Sequence, residues 1–285
     1  MKGRGKPWRH ESLIAWKSLR FRQWWYYALL PGAAALFMEL PADLWRLPLA
    51  VLCAACCLAW AFGLNAVTDR RGDRDRRKNP LAGQIKVSPG PMLASGGAAI
   101  LAMVTALPLG SLSLGAAGIS LAAGALYSAG PRLKSMPWLG LLGNVLIFMP
   151  LLLLGLYAGH VAPALWVFVL CFAVLLTQNQ LIHELGDRDE DLVNQDRTTG
   201  ALLGADGTSK MVFGLGFAGA FMLLMGSMST PAVWWASAGM VAAALPVWMT
   251  EASNAAKMRV RHRYLSAVVG GGLFALTLVE RMGRG

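Results

Sequence analysis

Apolar runs long enough to cross a lipid bilayer recur along almost the whole of this 285-residue chain. A membrane-spanning helix needs about 20 predominantly apolar residues. In lipid every backbone N–H and C=O group must find its partner inside the protein, so such runs form helices. Only 14% of the residues are charged, against about 25% in soluble domains. The sequence therefore predicts an all-α membrane protein and excludes an ordinary soluble domain.

The apolar runs predict nine transmembrane helices in a bundle around a central cavity that opens to the cytoplasmic side. The predicted spans are 24–40, 47–65, 92–109, 112–129, 138–158, 162–182, 211–228, 231–249 and 264–279. Residues 1–23 predict a basic cytoplasmic N-terminal arm. Residues 24–285 then form the transmembrane domain, which we expect to consist of two related four-helix halves plus a final helix.

Local composition adds three expectations about packing. The arm is predicted to be a surface helix with tryptophans at headgroup depth, namely Trp8, Trp16, Trp24 and Trp25. The Gly/Ala/Ser-rich runs 92–109 and 112–129 are expected to be the most tightly packed spans, because small residues let helices approach closely. Cys53 and Cys56 have the spacing of a metal or redox pair, but the sequence offers no second ligand pair, which favours plain helix packing.

The net charge of +11 reports membrane topology. All of the 26 lysines and arginines except Arg46, Arg281 and Arg284 fall in the N-terminal arm or in loops that share one side of the predicted topology. Positive charge marks the cytoplasmic side of membrane proteins. This distribution predicts membrane lipids as partners and no nucleic acid. It also predicts that these loops lie in the cytoplasm. We expect an integral protein of a bacterial or archaeal cell membrane.

Two acidic motifs interrupt this apolar pattern at the ends of predicted spans. Asn65, Asp69 and Asp73 stand four residues apart, as do Asp187 and Asp191. Residues four apart lie on the same face of a helix, so each motif predicts one polar stripe. Carboxylates at the edge of a membrane segment are costly unless they are paired or metal-bound, which marks them as candidate functional groups.

Carboxylate and amide oxygens without Cys or His partners are typical ligands of Mg²⁺. Two stripes that face one cavity would hold such ions on a diphosphate and neutralise charge on the leaving group. Arg132 and Lys134 lie on the same predicted membrane side. We expect them to bind the remaining phosphate oxygens, the arginine through two parallel hydrogen bonds and the lysine as a point charge.

Four motifs occur in a distinctive order between residues 65 and 191. They are Asn65-x-x-x-Asp69-x-x-x-Asp73, then Pro80-Leu81 with Gly83-x-Ile85, then Tyr127-Ser-x-Gly-Pro-Arg-Leu-Lys134, and finally Asp187-x-x-x-Asp191. With this order and spacing inside nine predicted spans, the sequence resembles the UbiA superfamily of intramembrane prenyltransferases. The resemblance implies nine transmembrane helices around a central cavity. It also implies two aspartate-rich motifs that hold Mg²⁺ on an isoprenyl diphosphate.

The resemblance assigns roles to individual residues. It implies four catalytic aspartates, which also bind the metal together with Asn65: Asp69, Asp73, Asp187 and Asp191. It implies substrate contacts from Asn65, Arg77, Lys78, Tyr127, Arg132, Lys134 and Glu184. The implied reaction is ionisation of the allylic C–O bond, capture of the allylic cation by an aromatic or lipid-like acceptor, loss of a proton and release of diphosphate.

The sequence departs from the common pattern of that superfamily at three places. Ala66 and the pair His183-Glu184 stand where many members have Asp and Asn-Asp, respectively. Asn79 occupies the usual position of an arginine before Pro-Leu, so Arg77 or Lys78 would supply that charge. For His183 we expect a hydrogen-bonded residue at a helix end more than a ligand or base. The acidic residues off the stripes are predicted to be solvated loop charges: Asp75, Asp189, Glu190, Asp196 and Asp206.

Two other functions fit the residues. A terpene cyclase of the same superfamily would share the ionisation of the diphosphate but need no external acceptor. A cation-coupled transporter would also carry carboxylates within the membrane. In a transporter, however, the charges lie near the bilayer midplane, whereas here they lie beside basic loops at one predicted face.

Overall fold

The computed structural model describes residues 7–35, 45–73, 75–156, 164–226, 230–250 and 254–283. Within these ranges the chain is all-helical. The α-helices are α1 (Pro7–Ser18), α2 (Phe21–Trp24), α3 (Leu30–Ala35), α4 (Arg46–Asp69), α5 (Pro89–Ala106), α6 (Ser111–Ser128), α7 (Leu139–Phe148), α8 (Pro150–Leu153), α9 (Ala164–Val193), α10 (Thr199–Met225), α11 (Pro231–Met249) and α12 (Ala255–Met282). Short 3₁₀ helices occupy Trp25–Leu29, Leu107–Leu109 and Leu133–Ser135.

Seven helices of the described ranges are long and apolar enough to cross a membrane: α4, α5, α6, α9, α10, α11 and α12. The first and fifth predicted spans are apolar helical segments too, but each is broken. Residues 21–35 form α2, a 3₁₀ helix and α3, while α7 and α8 are separated at Pro150. Proline has no N–H to donate, so it is favoured at the first position of a helix, as Pro150 is in α8. The predicted all-α membrane class is confirmed, and residues 36–40 of the first span lie outside the described residues.

The loop expected between the sixth and seventh predicted spans, residues 183–210, is largely helical instead. Helix α9 continues through the second acidic motif to Val193, and α10 already begins at Thr199. Hydropathy marks where a chain leaves the bilayer, whereas a helix continues as long as its backbone bonds are satisfied. Helix α12 likewise begins at Ala255, well before its predicted start. Helix α10 is kinked at Gly204, whose φ of 66° only glycine adopts easily.

The chain forms two compact units. The first comprises Met1–Ala35, Leu40–Leu133 and Leu146–Gly159, and the second comprises Leu36–Glu39, Lys134–Val145 and His160–Gly285. In the first unit α4 packs against α1, α5 and α6. In the second unit α9 to α12 pack together around a core that includes Val174, Met240 and Val269. The predicted relation between two four-helix halves stays a prediction.

The small-residue spans are less closely packed than predicted. A Cβ added to Gly96, Gly97, Gly115 or Gly118 would meet no atom within 4 Å. Only at Gly124 of α6 would a Cβ come within 3.0 Å of the Ala61 side chain of α4. The buried residues of α4 are mostly small, among them Cys53, Ala54 and Cys57. Because α4 packs against α1, α5 and α6, the first unit is organised around it.

The N-terminal segment packs against the first unit through helix α1. Ser18 is fully buried, and Leu19 lies against Gly63 of α4. Trp16 and Trp25 are exposed, as a residue at headgroup depth would be, but Trp24 is only 3% exposed and donates its indole N–H to the Leu19 carbonyl at 2.6 Å. The expectation of an interfacial Trp24 is therefore wrong, because its side chain is buried within the protein. The Trp8 side chain lies outside the described residues.

The charge distribution predicts a single cytoplasmic face, which cysteine labelling can test. The four native cysteines are all buried, so they give little background. Single cysteines at the exposed positions Lys86, Pro131, Asn194 and Lys257 should react with a membrane-impermeant maleimide from the cytoplasmic side only. A cysteine at Ser111, in a predicted outer turn, is the control and should react from the other side. Labelling of any of the four positions from the outer side would contradict the predicted topology.

Candidate functional site

The first acidic motif begins on the last turns of α4 and ends beyond it. Asn65 and Asp69 lie on one face of the helix, as predicted. The predicted helical stripe is wrong for Asp73, because α4 ends at Asp69. The Gly72 and Asp73 N–H groups both bond to the Asp69 carbonyl at 2.9 Å, which closes a tight turn. Asp73 must therefore be held in place by something other than helix geometry.

The carboxylate of Asp73 is held by Asn79. The Asn79 amide donates to Asp73 Oδ2 at 2.7 Å and to the Ala66 carbonyl at 2.9 Å. The intervening turn is folded against α4, with Leu81 fully buried among Ala66 and Val67. Sequence reasoning identified Asn79 only as a departure from a pattern, since nothing local indicates its contact with Asp73.

Asn65 joins two elements that the sequence did not connect. Its Oδ1 accepts a hydrogen bond from Arg20 Nη1 at 3.0 Å, and its Nδ2 donates to Ser128 Oγ at 3.4 Å. Arg20 lies between α1 and α2 with a φ of 54°, and its guanidinium lies 5.9 Å from the centre of the Phe62 ring. Arg20 is a site residue that sequence reasoning missed, because only the folded chain brings it to α4.

Asp69 lies beside the basic turn that follows α6. Arg132 Nη2 is 3.5 Å from Asp69 Oδ1, and the arginine side chain is 47% exposed. Tyr127 precedes the Asn65 partner Ser128 at the end of α6. The structure thus brings Arg132 to the first motif. It places Arg77 and Lys78 as exposed residues in the turn between Asp73 and Asn79, where the Lys78 carbonyl accepts from Gln23.

The second acidic motif lies on α9, and its predicted helical stripe is borne out by the extent of that helix. His183, one turn before Asp187, places Nδ1 at 3.0 Å from Asp187 Oδ2 and at 3.1 Å from Arg259 Nη1 of α12. A protonated Nδ1 donates to the carboxylate, and an unprotonated one accepts from the guanidinium. His183 is hydrogen-bonded, as expected, but it lies inside the helix rather than at its end.

The carboxylate of Asp191 is held by Thr198, the residue immediately before α10. Thr198 Oγ1 donates to Asp191 Oδ2 at 2.9 Å and accepts from the Ala201 N–H at 3.2 Å. The hydroxyl therefore caps the start of α10 while it orients Asp191. Threonine before a helix is a recognisable N-cap signal, so this residue was within reach of sequence reasoning.

Glu184 is a buried anchor between α9 and α10. It is 5% exposed, its Oε2 accepts from the Gly200 N–H at 2.9 Å, and its Oε1 accepts from Gln180 at 3.2 Å. The free N–H groups at a helix start attract a carboxylate. We infer that Glu184 positions the beginning of α10, and its predicted substrate contact stays a prediction.

Lys134 lies in a 3₁₀ turn that is hydrogen-bonded to the start of α10. Both belong to the second unit. The Arg197 N–H donates to the Ser135 carbonyl at 3.1 Å. The Trp138 N–H donates to Thr199 Oγ1 at 2.9 Å. The turn that carries Lys134 is therefore hydrogen-bonded to the residues on either side of Thr198, which holds Asp191.

The donor set fits a hard divalent cation such as Mg²⁺. Each of the four aspartates has a dedicated neighbour: Asp69 has Arg132, Asp73 has Asn79, Asp187 has His183, and Asp191 has Thr198. Among the described residues no three His, Cys, Asp or Glu side chains are grouped closely enough to hold a metal alone. Mg²⁺ does not need such a cage, because it binds through one or two carboxylates together with waters and substrate phosphates.

Known structures show the same fold. A UbiA homologue from Archaeoglobus fulgidus, solved with GPP and Mg²⁺, is 22% identical, with a TM-score of 0.71 over 93% of this chain and 99% of that one. A UbiA homologue from Aeropyrum pernix K1 is 17% identical, with a TM-score of 0.66 over 90% and 97%. A digeranylgeranylglyceryl phosphate synthase structure is 14% identical, with a TM-score of 0.68 over 95% and 98%.

The sequence comparisons agree with the structural ones at the level of the family. No curated protein matches the chain. The model of the UbiA prenyltransferase family matches residues 24–275, which contain both acidic motifs and the basic turn. The match covers most of the chain, so the protein belongs to the UbiA prenyltransferase family.

Proposed function

We propose that the protein is a Mg²⁺-dependent intramembrane prenyltransferase that moves an isoprenoid group from an isoprenyl diphosphate to an aromatic or lipid-like acceptor. The observation that carries this proposal is that each of the four aspartates is oriented by its own neighbouring side chain. All four are also partly buried, unlike the solvated surface carboxylate Asp206, which is 80% exposed. Membership of a prenyltransferase family supports the same chemistry.

The metal would be held by Asn65, Asp69 and Asp73 in one unit and by Asp187 and Asp191 in the other. Bound there, Mg²⁺ supplies positive charge that stabilises the departing diphosphate. We propose that both carboxylate pairs act on the same diphosphate. UbiA homologues solved with GPP and Mg²⁺ or with DMAPP and Mg²⁺ support an isoprenyl diphosphate and Mg²⁺ as the two ligands.

Other residues of the chain bind and orient the substrate. Arg132 and Lys134 would bind phosphate oxygens that the metal leaves uncovered. In the reaction the bond between the allylic carbon and the diphosphate oxygen breaks, and its electron pair leaves with diphosphate. An electron pair of the acceptor forms the new bond to that carbon, and the acceptor then loses a proton. Apolar side chains around the reacting carbon would exclude water, which would otherwise capture the cation.

Product analysis with purified protein tests the proposed function. Diphosphate release is measured with geranyl, farnesyl and geranylgeranyl diphosphate, with and without an acceptor panel, over a Mg²⁺ series and in EDTA. We expect release that needs both metal and acceptor. Release without any acceptor would indicate a cyclase. Full activity in EDTA would contradict the metal requirement, and no release with any substrate would contradict the proposal itself.

Arg132 gives a more specific prediction. Replacing it with alanine should raise the KM for the isoprenyl diphosphate about 30-fold, which corresponds to about 2 kcal/mol, the scale of a lost charge-assisted hydrogen bond. Arg132→Lys should restore only part of the loss, because lysine lacks the planar fork. Lys210→Ala is the matched control, since Lys210 pairs with Asp206 on an exposed face of α10. An unchanged KM in Arg132→Ala would remove this residue from the site.

A further inference from the structure

Asn79 is a fully buried amide with three hydrogen-bond partners. Its Nδ2 donates to Asp73 Oδ2 at 2.7 Å and to the Ala66 carbonyl at 2.9 Å, and its Oδ1 accepts from the Leu81 N–H at 3.0 Å. The partners of the nitrogen can only accept, and the partner of the oxygen can only donate. The chemistry of the partners therefore fixes the orientation of this amide.

Two of these three partners belong to rigid parts of the first unit. Ala66 lies within α4, and Leu81 is fully buried against Ala66 and Val67. The third partner, Asp73, lies past the end of α4 and has no helix to fix it. The Asn79 amide thus fixes the Asp73 carboxylate relative to α4, although Asp73 lies outside that helix.

We propose that Asn79 is a positioning residue for Asp73. Its amide donates to Oδ2 of Asp73 and thereby orients the carboxylate for a divalent cation. Residues that orient metal ligands in this way commonly change metal affinity 10- to 100-fold when they are replaced. An amide is neutral, so it holds Asp73 without cancelling the negative charge that the cation requires. An arginine at this position would instead form an ion pair with the carboxylate. This inference rests on the proposed function, because it takes Asp73 as a metal ligand.

The test uses a variant that keeps the turn but loses the contact with Asp73. In Asn79→Ser the hydroxyl still accepts from the Leu81 N–H, as serine commonly does in such turns, but it is too short to reach the carboxylate. Asn79→Thr offers the same hydroxyl to the Leu81 N–H, and its methyl group refills part of the space left by the amide. It also lacks a donor that reaches Asp73.

The measurement is the thermal midpoint of the detergent-solubilised full chain with geranyl S-thiolodiphosphate, a slowly reacting analogue, over a Mg²⁺ series. We expect the Mg²⁺ concentration that gives half of the maximal rise to increase at least tenfold in Asn79→Ser. Asn79→Thr should show the same increase, and it serves as the second variant if Asn79→Ser yields no folded protein. Diphosphate release over the same Mg²⁺ series should shift in parallel, and excess Mg²⁺ should restore part of the turnover of Asn79→Ser.

Gln178→Met is the matched control for a merely structural loss. Gln178 is also fully buried and donates to two backbone carbonyls, those of Val212 at 2.9 Å and Met240 at 3.2 Å. This variant should lower the midpoint without metal but keep the wild-type Mg²⁺ dependence. A Mg²⁺ dependence of Asn79→Ser within twofold of a responsive wild type would overturn the inference alone. A wild type with no response to Mg²⁺ would overturn the proposed function, and the inference with it.

Discussion

The double variant Asp69→Asn/Asp187→Asn is expected to lower diphosphate release to the uncatalysed background. Each substitution preserves the size of the side chain but removes a hard anionic ligand from one of the two motifs. A single substitution at any of the four aspartates should lower turnover on the order of 10²-fold, which corresponds to about 2.7 kcal/mol, and raise the Mg²⁺ requirement. The measurement is the initial rate of diphosphate release against Mg²⁺ concentration.

Loss of folded protein is not expected to explain this result. Asparagine keeps the size of the side chain and can still accept a hydrogen bond, so the asparagine variants should be nearly as stable as wild type in EDTA. Asp206→Asn is the control, because Asp206 is 80% exposed and pairs with the solvent-facing Lys210 one turn away on α10. It should keep wild-type rates. Substantial turnover in the double variant would refute the assignment of the aspartates.

Gly200→Ala is expected to destabilise the protein by about 3 kcal/mol, the upper range for forcing extra atoms into a packed interior. A Cβ at this position would lie 2.8 Å from the Cβ of Glu184 and 2.9 Å from its carbonyl carbon. Backbone cannot move aside as a flexible side chain can. The start of α10 would therefore shift away from α9, and the hydrogen bond from the Gly200 N–H to Glu184 would be lost.

Thermal unfolding in detergent, followed by the loss of soluble protein, measures this effect. Gly214→Ala in the same helix is the matched control, because a Cβ there would meet no atom within 4 Å. The control should be neutral or slightly stabilising, since alanine favours a helix more than glycine does. Equal midpoints for the two variants would show that α9 and α10 are not in close contact at Gly200.

The sequence was sufficient for the class of the protein and for the position of most helices. The bounds of α11 were predicted to the residue, since Thr-Pro before an apolar run is a strong start signal. Hydropathy did not predict where the helices end beyond the bilayer. It ended the sixth span near Ile182, although α9 extends to Val193 through residues that are polar but still helical.

The acidic residues of the candidate site were identified from their spacing, but their surroundings were not. Spacing places Asp187 and Asp191 on one helix face, which is a local property. It could not show that Asp73 falls beyond the end of α4 or that Asn79 reaches back to it. Arg20 and Arg259 are separated from their partners by 45 and 76 residues, respectively, so only tertiary structure reveals them.

The contacts of the N-terminal segment bear on how the chain can be shortened for expression. A basic segment ahead of the first span is a common site for truncation, because chain ends are generally tolerant of change. Here deletion through residue 23 would remove Leu19 from the surface of Gly63 and the guanidinium of Arg20 from Asn65. Such a shortened protein would have an altered environment at the first acidic motif. Shortened versions for biochemical work should therefore retain the whole of Pro7–Ser18 and the residues that follow it.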